Sequence, residues 1–210
     1  MFPDVARDAS IWLAAFGAVS IIYGALVTLI QTDLKRLIAY SSVSHMGYVL
    51  LGISALGTVG LTGAGMQMFT HGLITGLLFV LVGLVYDRTH TRQIGELSGL
   101  AHQMPLIATV MAIAGLASLG LPSMAGFVSE VMVFLGTFEK HEALTVLGVI
   151  GIVLTAGYIL WMIQRVFWGE RNPRWADLGD ATAWWERTAL AALVGVIVLV
   201  GIFPAVVADV

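Results

Sequence analysis

Five stretches of about twenty mostly apolar residues each dominate this chain: Ile11–Ile30, Leu37–Leu56, Thr62–Tyr86, Leu144–Met162 and Ala189–Val207. That is the length a helix needs to cross roughly 30 Å of hydrocarbon. Only 11% of the 210 residues are Asp, Glu, Lys or Arg, and 59% are apolar. A water-facing globule carries charge on about 25% of its residues. So few charges cannot cover a soluble surface, which excludes a soluble enzyme. The absence of Cys excludes a disulfide scaffold, thiolate ligation of iron–sulfur clusters and a cysteine nucleophile. A net charge of −3 argues against a nucleic-acid partner. The expected class is an all-α, polytopic membrane helix bundle forming a single transmembrane domain over residues 1–210.

A sixth apolar segment, 105–138, is too long for one straight crossing, since a continuous helix of that length would reach about 50 Å. Its middle reads Gly120-Leu121-Pro122-Ser123-Met124-Ala125-Gly126. Glycine weakens a helix there, and Pro122 removes a backbone donor. The segment is therefore expected as helix–break–helix near 120–126, giving six transmembrane helices with the fourth discontinuous. Such a break survives at membrane depth only where protein buries it or where it lines a wet cavity. With six crossings, Lys35, Arg36, Arg88, Arg92, Arg165, Arg171, Arg174 and Arg187 fall on one face, and Arg7 and Lys140 on the other. Eight basic residues against two predict cytoplasmic basic loops and both termini outside. Trp168, Trp175, Trp184 and Trp185 read as headgroup-level belt residues. Met1 is followed by Phe-Pro-Asp-Val, so no signal peptide is expected.

Polar groups inside the spans are few. Ser41, His45 and Tyr48 share one face of the second helix, and Gln67, Thr70, His71 and Thr75 share one face of the third. Hydroxyls can serve simply to tie helices together. An imidazole in a polar stripe suits proton relay, because it accepts on one nitrogen and donates from the other. Two histidines without Cys or a second carboxylate do not make a closed metal shell, so no metal is expected. Glu130 is the only acidic side chain well inside a span. It lies just after the break, and a buried ionisable group beside a broken helix is a repeated transporter arrangement. Asp33 reads as the cap of the second helix. No phosphate loop, dinucleotide fingerprint or nucleophile elbow is present, so redox and ATP chemistry are expected elsewhere.

The run Gln31-Thr32-Asp33-Leu34-Lys35-Arg36-Leu37-Ile38-Ala39-Tyr40-Ser41-Ser42-Val43-Ser44-His45-Met46-Gly47 resembles the antiporter-like membrane subunits of respiratory complex I. Two later blocks carry the same resemblance: Gln67-Met68-Phe69-Thr70-His71-Gly72-Leu73, and Gly120-Leu121-Pro122 through Gly126-Phe127-Val128-Ser129-Glu130. Glu130 and Thr75 stand where related subunits tend to carry Lys, so the chain M (chain 4) type of NADH–quinone oxidoreductase is the subtype it resembles.

The resemblance implies the second inverted repeat plus the last helix of the antiporter-like fold. It also implies that these residues are the C-terminal part of a longer subunit. By the same resemblance His45, His71 and Glu130 are proton-relay positions. Ser41, Ser44, Gln67 and Thr70 are expected to hold connecting water, and Gly120, Pro122 and Gly126 to make the helix break. The Glu–Lys pair of the family's first repeat and its central Lys are not in this chain.

The expected function is proton translocation within NADH–quinone oxidoreductase. NADH, FMN, iron–sulfur clusters and quinone would be held by partner subunits, and no cofactor by this chain. Partners would be the other membrane subunits of complex I and, through them, its peripheral arm, all in a bacterial-type cell (inner) membrane. The competing readings are a subunit of a Mrp-type cation/proton antiporter or of a membrane-bound hydrogenase-like complex, and a non-pumping scaffold.

Overall fold

A computed structural model describes residues 3–208, and the fold is helical throughout. The helices are α1 (Pro3–Leu29), α2 (Leu34–Ser54), α3 (Thr58–Thr89), α4 (Pro105–Ser118), α5 (Ala125–Phe138), α6 (Glu142–Phe167), α7 (Trp184–Ile202) and the single turn α8 (Ala205–Ala208). Short 3₁₀ turns occupy Leu100–His102 and Pro173–Trp175. Among the described residues, five helices are long and apolar enough to cross a membrane: α1, α2, α3, α6 and α7. Helices are what such a composition permits, because hydrocarbon offers no partner to an exposed N–H or C=O.

Helix ends follow local chemistry. Asp33 caps α2 from an extended conformation, its carboxylate accepting from Arg36 N–H at 3.0 Å. The apolar pattern puts the last crossing at 189–207, but α7 begins at Trp184 and stops at Ile202, because Pro204 cannot donate to the helix. At 32 residues α3 extends about 48 Å, so it outlasts the apolar layer and carries Asp87 and Arg88 beyond it. Segment 105–138 is split as expected into α4 and α5, 14 residues each.

Small residues let the helices approach closely. A Cβ added to Gly17 would lie 2.9 Å from the Gly47 carbonyl oxygen and from Leu51 N, so α1 and α2 touch backbone to backbone. Ser44 Oγ reinforces this crossing by donating to the Ile21 carbonyl at 2.9 Å. Ile21, Tyr48, Leu51 and Val133 form one core between α1, α2 and α5, and a larger core joins α2, α3, α4, α6 and α7. The outward face of α1 stays apolar and exposed at Trp12, Phe16, Val19, Tyr23 and Leu26, as a lipid- or protein-facing helix requires.

The connections between α1 and α2, α3 and α4, and α6 and α7 gather at one end of the bundle. Leu34 N–H donates to the Arg92 carbonyl at 2.9 Å and Ile94 N–H to the Thr32 carbonyl at 2.8 Å. Asp180 turns its carboxylate onto the N-terminus of α4, accepting from Leu106 N–H at 2.6 Å and Ile107 N–H at 3.2 Å. Pro105 opens α4, and the donors that follow it have no partner within the helix. Trp175 departs from its expected place in the headgroup belt. It is only 5% exposed and donates to the Glu96 carbonyl at 3.2 Å, because the 169–183 segment folds back over the end of the bundle. Trp168, Trp184 and Trp185 are exposed.

Arg88 holds that segment down. Its Nη2 lies 3.0 Å from both Glu186 carboxylate oxygens, its Nε donates to the Gly179 carbonyl at 2.9 Å and its Nη1 to the Leu84 carbonyl at 3.1 Å. Arg88→Ala is expected to cost about 2–3 kcal/mol, the worth of charge-assisted hydrogen bonds largely shielded from water. The measurement is limited proteolysis of membrane vesicles open on the basic face. Cleavage within 169–183 should accelerate in the variant, and Arg88→Lys should not restore protection because an ammonium lacks the planar fork.

Candidate functional site

The polar side chains of α2, α3 and α5 converge beside the break between α4 and α5. The break starts where α4 stops at Ser118. Leu119 N–H still bonds the Gly115 carbonyl at 3.0 Å, but Gly120 takes φ 75°, a left-handed conformation that favours glycine, and Ser123 takes φ 74° in the same break. Met124 then opens α5 from extended backbone. The backbone of α7 passes close by, since a Cβ at Gly201 would lie 2.5 Å from the Met124 carbonyl carbon. Protein therefore shelters part of the break, as membrane depth demands.

Glu130 stands six positions into α5 and is 3% exposed. Its Oε1 lies 3.7 Å from His45 Nδ1 on α2. The other His45 nitrogen, Nε2, is 3.3 Å from Ser118 Oγ at the end of α4. The His45 ring also faces His71 on α3, with centroids 5.0 Å apart and planes inclined by 32°. His71 contacts two hydroxyls: Ser42 Oγ lies 3.1 Å from Nε2, and Thr75 Oγ1 lies 3.1 Å from Nε2 and 3.2 Å from Nδ1. The ionisable groups thus run in one row: His71, His45, Glu130. A small cavity of about 10 Å³, room for about one water, borders this row and is lined by Gln67, Thr70, Ser118 and Gly126 as well as the three ionisable groups. Deeper still, the Ser129 hydroxyl contacts Gln67 Oε1, sits 3.2 Å from Thr70 Oγ1 and donates to the Gly126 carbonyl at 2.9 Å.

The sequence-derived residues divide into two sets. His45, His71, Glu130, Gln67, Thr70 and Gly126 meet at the cavity, with Gly120 against Glu130. Ser41 and Ser44 do not reach it: Ser41 Oγ bonds the Ile38 carbonyl of its own helix at 2.8 Å, and Ser44 points to α1. Pro122 lies exposed in the break, away from the cavity. Ser42 touches His71 in place of Ser41, because the two serines project from different sides of α2. Sequence reasoning missed Ser118, Ser129 and the role of Ser42. For Ser118 a signal existed, a small polar residue two positions before the Gly120 break. Among the described residues, no group of three or more His, Asp or Glu side chains is placed to hold a metal ion.

Chemically, a row of imidazole, imidazole and carboxyl offers successive proton acceptors. The 3.7 Å gap between His45 and Glu130 exceeds hydrogen-bond length, so a small ring movement or one bridging water closes it.

Gly120 is what lets the carboxyl lie against the break. A Cβ there would sit 2.5 Å from Glu130 Oε2. Gly120→Ala would add left-handed strain of about 1–2 kcal/mol and push the carboxyl away. The expected result is a lower unfolding temperature for the detergent-solubilised protein and a shifted infrared carboxyl band of Glu130.

Long apolar helices packed around a few buried ionisable groups define an integral membrane protein of the polytopic helical class. The chain belongs to the family described as NADH:quinone oxidoreductase/Mrp antiporter, transmembrane, which matches residues 1–155. It is 41% identical, over its whole length, to NADH-quinone oxidoreductase subunit M of Rhodobacter capsulatus, and covers 41% of that protein. It is 42% identical to the F(420)H(2) dehydrogenase subunit M of Methanosarcina mazei, with 94% of this chain and 40% of that protein covered. Among solved structures, a chain of respiratory complex I from Thermus thermophilus with bound NADH superposes with a TM-score of 0.93. The identity to it is 33%, covering 98% of this chain and 43% of that one. The chain thus spans about two-fifths of the length of these relatives. The likeness to the chain M (chain 4) type, read from 31–47, 67–73 and 120–130, holds across the chain.

Proposed function

We propose that this chain forms part of a proton-translocating membrane subunit of NADH–quinone oxidoreductase. The observation that carries the reading is the buried row His71, His45 and Glu130, set against a helix break in a family of quinone oxidoreductase and antiporter subunits. A proton reaching His71 passes to His45 and then to Glu130, which delivers it toward a neighbouring subunit or the outside. Gln67 and Thr70 line the cavity that hydrates this route.

In this reading α4 and α5 make one discontinuous crossing, so the chain crosses six times as a single transmembrane domain. Two features support it: three connections gather at the basic end, while Lys140 of the α5–α6 turn reaches the Ser54 carbonyl at 3.4 Å beside the α2–α3 turn at the other end. The six crossings correspond to the second inverted repeat and last helix of the antiporter-like fold. The basic loops are cytoplasmic, both ends lie outside, and the membrane is a bacterial-type cell membrane.

Other membrane subunits of complex I are the partners. They connect this chain to the peripheral arm, where NADH, FMN, iron–sulfur clusters and quinone react. A half-buried His71 beside the uncovered Gly65, Gly72 and Gly76 on α3 supports a packed neighbour along that face.

The test is Glu130→Gln in the complete subunit within its assembled complex. NADH-driven acidification of membrane vesicles should fall by at least about tenfold, as for loss of a proton-transferring group, while NADH:ferricyanide reduction persists. Undiminished pumping would remove Glu130 from the route. The family also contains cation/proton antiporters. Proton release driven by a Na⁺ gradient without NADH would favour that second reading.

A further inference from the structure

The α4 side of the helix break touches the His45–Glu130 pair twice. Gly120 abuts Glu130, and Ser118, the last residue of α4, places its hydroxyl 3.3 Å from His45 Nε2. Ser118 is 5% exposed, and His45 Nε2 is its hydrogen-bonding contact outside its own helix. The opposite ring nitrogen faces Glu130 at 3.7 Å. The imidazole is thus held between one group that can only rotate, the hydroxyl, and one that can take a proton, the carboxyl.

We infer that Ser118 is a positioning residue that sets the His45 tautomer and resets it after each proton transfer. The inference rests on the proton route proposed above. A hydroxyl is both donor and acceptor, so it follows the ring through every state. In the starting state Ser118 O–H donates to Nε2, which leaves the imidazole proton on Nδ1, aimed at Glu130. A proton delivered from the cavity to Nε2 makes the imidazolium, and the Ser118 hydroxyl turns to accept Nε2–H. His45 then releases the Nδ1 proton to Glu130 Oε1, breaking the N–H bond and forming O–H, and becomes neutral with its proton on Nε2. One proton has entered and one has left. Return to the starting tautomer completes the cycle: the ring gives up the Nε2 proton to water and takes one from water at Nδ1, with no net transfer, and the hydroxyl favours it by turning back to donate. A backbone carbonyl in this position would lock one tautomer and a backbone N–H the other. Because Ser118 ends α4, a change in the break moves the hydroxyl relative to the ring.

The experiment compares Ser118→Ala, Ser118→Thr, Ser118→Cys and Glu130→Gln in the complete subunit of the assembled complex. Protons pumped per NADH oxidised are measured in membrane vesicles, with assembly checked by NADH:ferricyanide activity on a native gel. Ser118→Ala should lower pumping by about threefold to tenfold, the consequence of one lost hydrogen bond. Ser118→Thr, which keeps the hydroxyl, should recover most of it. Ser118→Cys, similar in shape but a weak donor and acceptor, should resemble the alanine variant. Wild-type pumping by Ser118→Ala or Ser118→Cys, with Glu130→Gln inactive, would overturn the role of Ser118 and leave the route standing. That role is equally overturned if Ser118→Thr pumps no better than Ser118→Ala. Normal pumping by Glu130→Gln would overturn the route itself. If Ser118→Ala does not assemble, Ser118→Cys decides alone.

Discussion

Every backbone polar group at membrane depth must find its partner inside the protein, and the rest of this structure depends on that constraint. It makes the chain helical, and it makes any interruption of a helix expensive. The interruption between Ser118 and Ala125 persists because the segment bonds part of its own backbone and a neighbouring helix packs over it. Leu121 N–H reaches back to the Leu116 carbonyl at 3.1 Å, Met124 N–H bonds the Leu121 carbonyl at 3.0 Å, and α7 closes over the break at Gly201. The ionisable row sits where this irregular backbone creates polar space among apolar helices. Site and break are therefore one feature of the fold.

The basic end of the bundle contributes to the same geometry from a distance. Asp180 clamps the first turn of α4, and Arg88 holds the 179–186 segment that carries Asp180. From that clamp the 14 residues of α4 reach about 20 Å to Ser118. The depth of the break, and of the hydroxyl beside His45, is set by helix rise measured from a fixed end. Polar surface contacts at the loops thus hold an intramembrane site in register, although no loop residue lines the cavity.

Much of this is legible in residue order alone, for a physical reason. Apolar length is a one-dimensional signal, so the five long helices and the split of 105–138 can be read directly from it. Ionisable side chains are so costly in lipid that His45, His71 and Glu130 mark themselves by presence alone. Glycine and proline at 120–126 announce the break in the same way. Weaker preferences decide less. Helix periodicity groups Ser41 with His45, yet Ser42 meets His71, since a difference of one position rotates a side chain by about 100° and only the partner helix says which side matters. Trp175 fits a membrane belt by type but is buried by a loop that folds back.

The sequence by itself determined that the chain is a membrane helix bundle, where its helices run, where one of them breaks and which side chains are able to carry a proton. These are properties of composition and local order, written residue by residue. The tertiary structure decided that His71, His45 and Glu130 stand in one row, that Ser118 holds the far nitrogen of His45 and that Asp180 caps a helix 73 to 74 residues away in the chain. Those relations depend on the rotation and depth of one helix against another. Close packing at Gly17, Gly47 and Gly201 sets them, and periodicity within a single helix carries no record of its neighbour.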